Sequence, residues 1–300
     1  MRFIFLILFT ALVVQGTAQT VRLATYRYGN NSRLQSLQPY ADHLRNKYKF
    51  DVSIKSYESV HALIQAMQKN EVDIALINTF GYLLLESEGK HNMRAVATLK
   101  VTRQISDGYR TAIIAGPQVT VHKLEELKKL GSKLRLTLVN RGSTSGYLVP
   151  RMALAGAGIP SPESTFKYVL YSEIHDAAVD AVLSRMADVA AVGYSEYSRY
   201  VQQDASNRSK MRLLWLSPEI PYGPIMFNNK MSAGLNAQLL HSFLNLHKEN
   251  AAAFEAMKSG WSETKDASFF FTIDGSYYSN FKKLLGSEHD IQKMLKQVKR

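Results

Sequence analysis

Residues 141–150 read RGSTSGYLVP, with three successive hydroxyls, Ser143, Thr144 and Ser145, between Gly142 and Gly146 and directly ahead of an apolar segment that begins a helix. A helix start carries about half a positive charge and up to four N–H groups without intrahelical acceptors, so it stabilises an anion placed there. Three hydroxyl donors added to those amides can satisfy a compact tetrahedral oxyanion from one side. Hydrogen bonds to charged groups contribute about 1.5–3 kcal/mol each. Three or four cover much of the ~8 kcal/mol that micromolar affinity requires. An ordinary capped turn, in which one serine caps the helix and the other hydroxyls are solvated, fits the same residues. The nucleophile elbow of hydrolases has a glycine-x-serine-x-glycine form, but Thr144 is the central residue here and no acid and base can be assigned to it. Pro150 must fall in the first turn or two, because deeper in the helix it would remove a backbone bond.

Little else in the chain is built for reaction chemistry. The 8 histidines are dispersed without metal-ligand spacing and cysteine is absent, so neither a metal nor another cofactor is expected. Lysine plus arginine outnumber aspartate plus glutamate by 12, a balance that suits anionic solutes, membrane surfaces or envelope polymers. The charges are scattered and no DNA- or RNA-binding signature is present, which argues against nucleic acid.

The elements that would carry these residues form a regular series. Residues 1–18 join Arg2 to an apolar run and end in Gly16 and Ala18, spaced as for cleavage after Ala18. This is the pattern of a secretory signal peptide, and it implies export to the periplasm. The run is shorter than the ~20 residues of a membrane span, and no cysteine follows it to carry a lipid. Val21–Tyr26 alternates as a strand, a helical pattern runs through Leu37, Tyr40, Ala41 and Leu44, DVSIKSY is a second strand, and HALIQAMQKNEVDIALIN holds a helix and a buried strand. The rhythm returns in KLRLTLVN, the hydroxyl segment, FKYVLY, IHDAAVDAVLSRMA and DVAAVGY. Such alternation predicts α/β lobes, each a mainly parallel sheet flanked by helices. Residues 109–118 read as a strand running out into a linker at Gly116 and Pro117, and 215–229 as a proline-rich extended return. The expected division is therefore 19–117 with 222–300 as lobe 1 and 118–221 as lobe 2, joined by two extended hinge crossings around a cleft.

Five stretches in sequence order carry a family resemblance: NEVDIALINTFGYLL, DGYRTAIIA, GSTSGYLVPRMAL, IHDAAVDAVLSRMADVAAV and SPEIPYGPIMF. Together they resemble the phosphate-, phosphite- and phosphonate-binding proteins that serve ABC importers, a type II periplasmic solute-binding family, over about residues 21–230. The resemblance implies that Ser143, Thr144 and Ser145 grip the oxyanion, joined by Tyr109 and His175. Taken alone, Tyr109 fits a core aromatic and His175 the polar first turn of a helix. In the loop 78–82, Thr79 is a candidate ligand contact and Phe80 and Tyr82 a candidate apolar wall, while core packing fits both aromatics as well. Tyr26 and Tyr57 end the first two strands and are further candidates.

The sequence departs from the family where members that recognise aminoalkylphosphonates carry acidic residues. Those positions hold Ser195 and Gly223, although Glu196 adjoins the first. Without these counter-charges an ammonium-bearing ligand is disfavoured, and phosphate, phosphite or a small uncharged-tail phosphonate is expected. The resemblance implies a monomeric, non-enzymatic binding protein that delivers its ligand to an ABC permease in the inner membrane. A ligand-sensing protein signalling to a membrane receptor would use the same clamshell and remains the alternative, with an exported hydrolase behind it.

Overall fold

The computed structural model describes residues 20–102 and 108–298; the signal-peptide segment lies outside them. Among the described residues eleven strands form two sheets. In chain order they are β1 (Val21–Tyr26), β2 (Val52–Tyr57), β3 (Ile74–Leu76), β4 (Met93–Lys100), β5 (Thr111–Ala115), β6 (Arg135–Val139), β7 (Tyr168–Ser172), β8 (Val189–Gly193), β9 (Arg212–Leu216), β10 (Ile225–Asn228) and β11 (Phe269–Thr272). The first sheet runs β11-β4-β10-β3-β1-β2 and the second β7-β6-β8-β5-β9.

Both sheets are mixed. β2-β1-β3 and β7-β6-β8 are parallel, as their βα connections require. The remaining pairings, through β10, β4 and β11 on one side and β5 and β9 on the other, are antiparallel. β10 lies in the stretch read as an extended return, where its partners from distant sequence supply the ladder.

The lobe boundary differs from the sequence expectation. β5 pairs with β8 and β9 in the second sheet, so the first crossing precedes Thr111 and the Gly116–Pro117 break is a turn inside lobe 2. A fully buried strand, TAIIA, needs cover on both faces, and helices packed on the second sheet, among them Val149–Gly156 and Tyr194–Gln203, contact it.

Each lobe is clasped at the end away from the cleft by the same device. Arg22 at the start of β1 holds Asp73, just before β3, through its backbone N–H (2.9 Å), Nε (2.9 Å) and Nη2 (2.7 Å). Arg135 at the start of β6 holds Asp188, just before β8, through N–H (2.8 Å), Nε (2.9 Å) and Nη2 (3.0 Å).

The last two helices serve both lobes. Ser279–Leu285 packs on the lobe 2 helix Val149–Gly156, and Glu288–Val298 packs on the lobe 1 helix Thr79–Glu88. Phe281, Leu285, Ile291, Met294 and Leu295 thereby join Leu83 of lobe 1 and Met152 of lobe 2 in one apolar cluster.

Candidate functional site

The hydroxyl segment follows β6 and starts its helix with a π turn, Thr144–Leu148, before the α-helix Val149–Gly156. Pro150 leaves one carbonyl of this turn without a backbone donor. In i→i+5 spacing the Ser145 carbonyl would face the nitrogen of Pro150, which has no hydrogen to give. That carbonyl instead accepts from Thr111 Oγ1 at 2.7 Å. Ser143 caps the turn by accepting from the Gly146 amide at 3.0 Å. Gly146 has to be glycine: a Cβ there would stand 2.4 Å from Val139 Cγ2 and 2.9 Å from His175 Cε1. Ser143, Thr144 and Ser145 are all buried yet line a cleft of about 660 Å3 between the lobes.

Four helix starts converge on this cleft. Because β2, β3, β6 and β7 all point their carboxyl ends toward it, the helices that follow, Val60–Gln68, Thr79–Glu88, the Thr144 turn and His175–Leu183, begin at its walls. Ser59, Asn78, Ser143 and His175, at or just before those starts, all line it. Each start adds about half a positive charge, so the field at their meeting point favours an anion.

Hydrogen bonds join the lobes across the cleft. The Phe80 amide donates to Thr144 Oγ1 at 3.0 Å, Asn78 Nδ2 to the Gly142 carbonyl at 2.8 Å, the His175 amide to Tyr28 Oη at 3.1 Å and Ser262 Oγ to Glu196 Oε1 at 2.8 Å. Thr144 Oγ1 therefore sits between the starts of two helices from opposite lobes.

The side chains around the cradle are set as donors. Tyr109 stacks on Tyr222 at 5.7 Å with rings 4° from parallel. Burial, with the nearby Glu263 adding to it, holds its hydroxyl protonated and pushes it well up, while that hydroxyl bonds to those of Thr144 and Ser145. His175 accepts from the Gly193 amide on Nδ1 at 3.0 Å, which leaves Nε2 to carry the proton, 3.5 Å from Ser145 Oγ. Burial lowers its basicity below that of a free histidine, outweighing Glu196 and Asp176.

Two carboxyl groups stand close to the cradle. Burial acts to raise Glu196, but His175 and hydroxyl bonds from Ser262 and Ser195 outweigh it and hold it below the usual carboxylate value. Glu263, half-buried and lining the cleft, is pushed up, chiefly by burial. Gly223 offers no room for an acid, since a Cβ there would lie 2.0 Å from the Ile77 carbonyl oxygen. Position 223 is thus closed to side chains, and Glu263, from the C-terminal segment, lines the same adjoining crevice as Gly223.

The other sequence candidates have separate places. Tyr26 lines the cleft with Arg33 over its ring at 4.5 Å. Thr79 donates to the Pro221 carbonyl at 2.6 Å and fixes the second crossing. Phe80 is fully buried edge-on to His61, and Tyr82 packs on Tyr278 at 4.5 Å, so neither ring lies on the cleft wall. Tyr57 is half-buried beneath Lys55, also off the wall. Arg33 and Glu263 were not legible as site residues. Arg33 sits in the left-handed region at φ 59° with its guanidinium 4.5 Å from both the Tyr26 and Trp261 rings, and it donates to the Gly260 and Tyr26 carbonyls. No local pattern announces that meeting of residue 33 with residues 260–263.

Residues 27–269 match the family model described as ABC transporter, phosphonate, periplasmic substrate-binding protein. The chain belongs to that family. It is similar to the phosphonates-binding periplasmic protein of Escherichia coli, 25% identical over 252 residues, covering 83% of this chain and 72% of the relative. In three dimensions it is similar to a binding protein component of an ABC phosphonate transporter from Pseudomonas aeruginosa (TM-score 0.68, 19% identity, covering 93% and 94% of the two chains). It is equally similar to a Prochlorococcus marinus protein solved with methylphosphonate (TM-score 0.68, 18% identity, covering 88% and 96%). The type II periplasmic binding fold and the role of a substrate-binding component of an ABC phosphonate or phosphite transporter follow. This is a family of the periplasm.

Proposed function

We propose that the cleft binds a phosphorus oxyanion through Ser143, Thr144, Ser145, Tyr109 and His175, and that the protein acts without catalysis, presenting the closed, loaded form to an ABC permease. The convergence of four helix starts on one buried row of hydroxyls carries this reading. Hydrogen bonds from both lobes make ligand and closure mutually stabilising, so a permease that reads closure reads occupancy. Burial raises Glu263, and a protonated carboxyl on the cleft wall repels a bound anion less than a carboxylate would.

Titration calorimetry with phosphate, phosphite, methylphosphonate and 2-aminoethylphosphonate tests it, on the wild type and on the Ser143→Ala/Thr144→Ala double variant. Heat from at least one ligand, lost in the double variant, is expected. Binding unchanged in that variant would remove the cradle from the site.

A further inference from the structure

The cleft is far larger than its anchor. A five-atom tetrahedral anion takes the room of about three waters, ~90 Å3 at a water's share of liquid volume, whereas about 660 Å3 lies between these lobes. The lobes are already in contact, through Asn78 to Gly142 at 2.8 Å and Phe80 to Thr144 at 3.0 Å, so the volume belongs to a joined cleft. Space of this size suits a ligand with a substantial body.

The lining says what that body is. Among the described residues Val60 is the sole aliphatic side chain on the wall, whose other apolar surface comes largely from the rings of Tyr26, Tyr28 and Tyr109. An alkyl tail would meet those rings but desolvate the polar groups between them without a hydrogen bond in return, whereas a sugar ring offers C–H faces to the aromatics and hydroxyls to the polar groups. Of the three arginines on the wall, Arg27 is paired with Glu58 at 3.0 Å and Arg33 is enclosed by the Tyr26, Tyr28 and Trp261 rings, so a second anionic group finds little unpaired positive charge. Toward the mouth Arg27 Nη1 meets Glu58 Oε2 at 3.0 Å, which sets a strong donor beside a strong acceptor. Arg141 and Glu173, exposed on the facing lobe, repeat the two chemistries. Hydroxyl groups, each of which both donates and accepts, fit such a wall.

We propose that the ligand is a phosphomonoester or phosphonate of a neutral, polyhydroxylated body, the sugar-phosphate class, with its head group in the hydroxyl cradle and its hydroxyls among Arg27, Asn30, Glu58, Asn140, Arg141 and Glu173. This rests on the oxyanion reading of the cradle and replaces a small or alkyl tail by a sugar-sized one.

Calorimetric titration of the purified protein with glucose 6-phosphate, ribose 5-phosphate, methylphosphonate, inorganic phosphate and free glucose decides it. At least one sugar phosphate is expected to bind tenfold or more tighter than methylphosphonate and phosphate, and free glucose not to bind. In the Arg27→Ala/Glu58→Ala variant that ratio is expected to fall below threefold. A ratio under tenfold in the wild type overturns the tail assignment while leaving the oxyanion site standing. A ratio that survives the double variant overturns the placement of the tail. Absence of binding by all five overturns the oxyanion reading as well, and glucose binding as tightly as its phosphate overturns the cradle as anchor.

Discussion

The Phe80 amide donates to Thr144 Oγ1 at 3.0 Å across the interlobe boundary, so one hydroxyl of the proposed anion cradle also helps to join the lobes. Thr144→Ala should weaken oxyanion binding by about 10- to 100-fold, the worth of one hydrogen bond to a charged group. Thr144→Ser keeps the oxygen and should stay within threefold of wild type. Titration of both variants checks this, and equal affinity of the alanine variant and the wild type would leave Thr144 a clasp only.

Gly146→Ala places a methyl 2.4 Å from Val139 Cγ2 and 2.9 Å from His175 Cε1. Overpacking of this kind costs about 1–3 kcal/mol. The variant should melt several degrees below wild type and lose affinity with it, because the displaced groups are the end of β6 and the His175 ring.

Glu263 has a folded-state pKa above its unfolded one. The folded protein therefore binds that proton more tightly, and Glu263 costs stability as pH rises through the unfolded and then the folded value. Glu263→Gln should raise the melting temperature at pH 7.5, and the gain should vanish toward pH 4. Differential scanning calorimetry across that range gives the sign directly, and a gain that grows on acidification would contradict the assignment.

Asp188 shows the opposite sign. Burial opposes its charge, but bonds from Arg135 and Gln118 hold it at about 2 against an ordinary 3.8. Its contribution is present above the unfolded value and is lost as pH falls toward 2. Asp188→Asn should cost about 2 kcal/mol near neutrality, with the difference from wild type shrinking at the acid end. Chemical denaturation at pH 7 and pH 2.5 measures both.

Much of this was legible because it is local. The hydroxyl row with its flanking glycines marks a helix start in any fold, and the strand–helix rhythm places it at the carboxyl end of β6. Tyr109 and His175 became candidates only through the family resemblance, since their local patterns fit a core aromatic and a helix's polar first turn equally well. What escaped reading depends on distant pairing. β10 joins β3 and β4 from about 130 to 150 residues away in sequence, so its short IMFN run carries no pattern of its own. Phe80 and Tyr82 follow a cleft-facing strand, yet as residues within a helix they turn inward, and only Asn78, which caps that helix through the Gly81 amide at 2.9 Å, stays on the wall. Glu263 belongs to a single-turn helix whose sequence, SET, gives no sign of what lies opposite.

The C-terminal helices lean on both lobes, with Arg151 Nε of lobe 2 donating to Met294 Sδ at 3.3 Å. A clamshell hinged by two ribbons alone could melt in two steps, one for each half. Here a shared apolar seam runs along the spine, so heat should take the whole molecule apart in a single calorimetric transition, and removing the tail should split that peak in two.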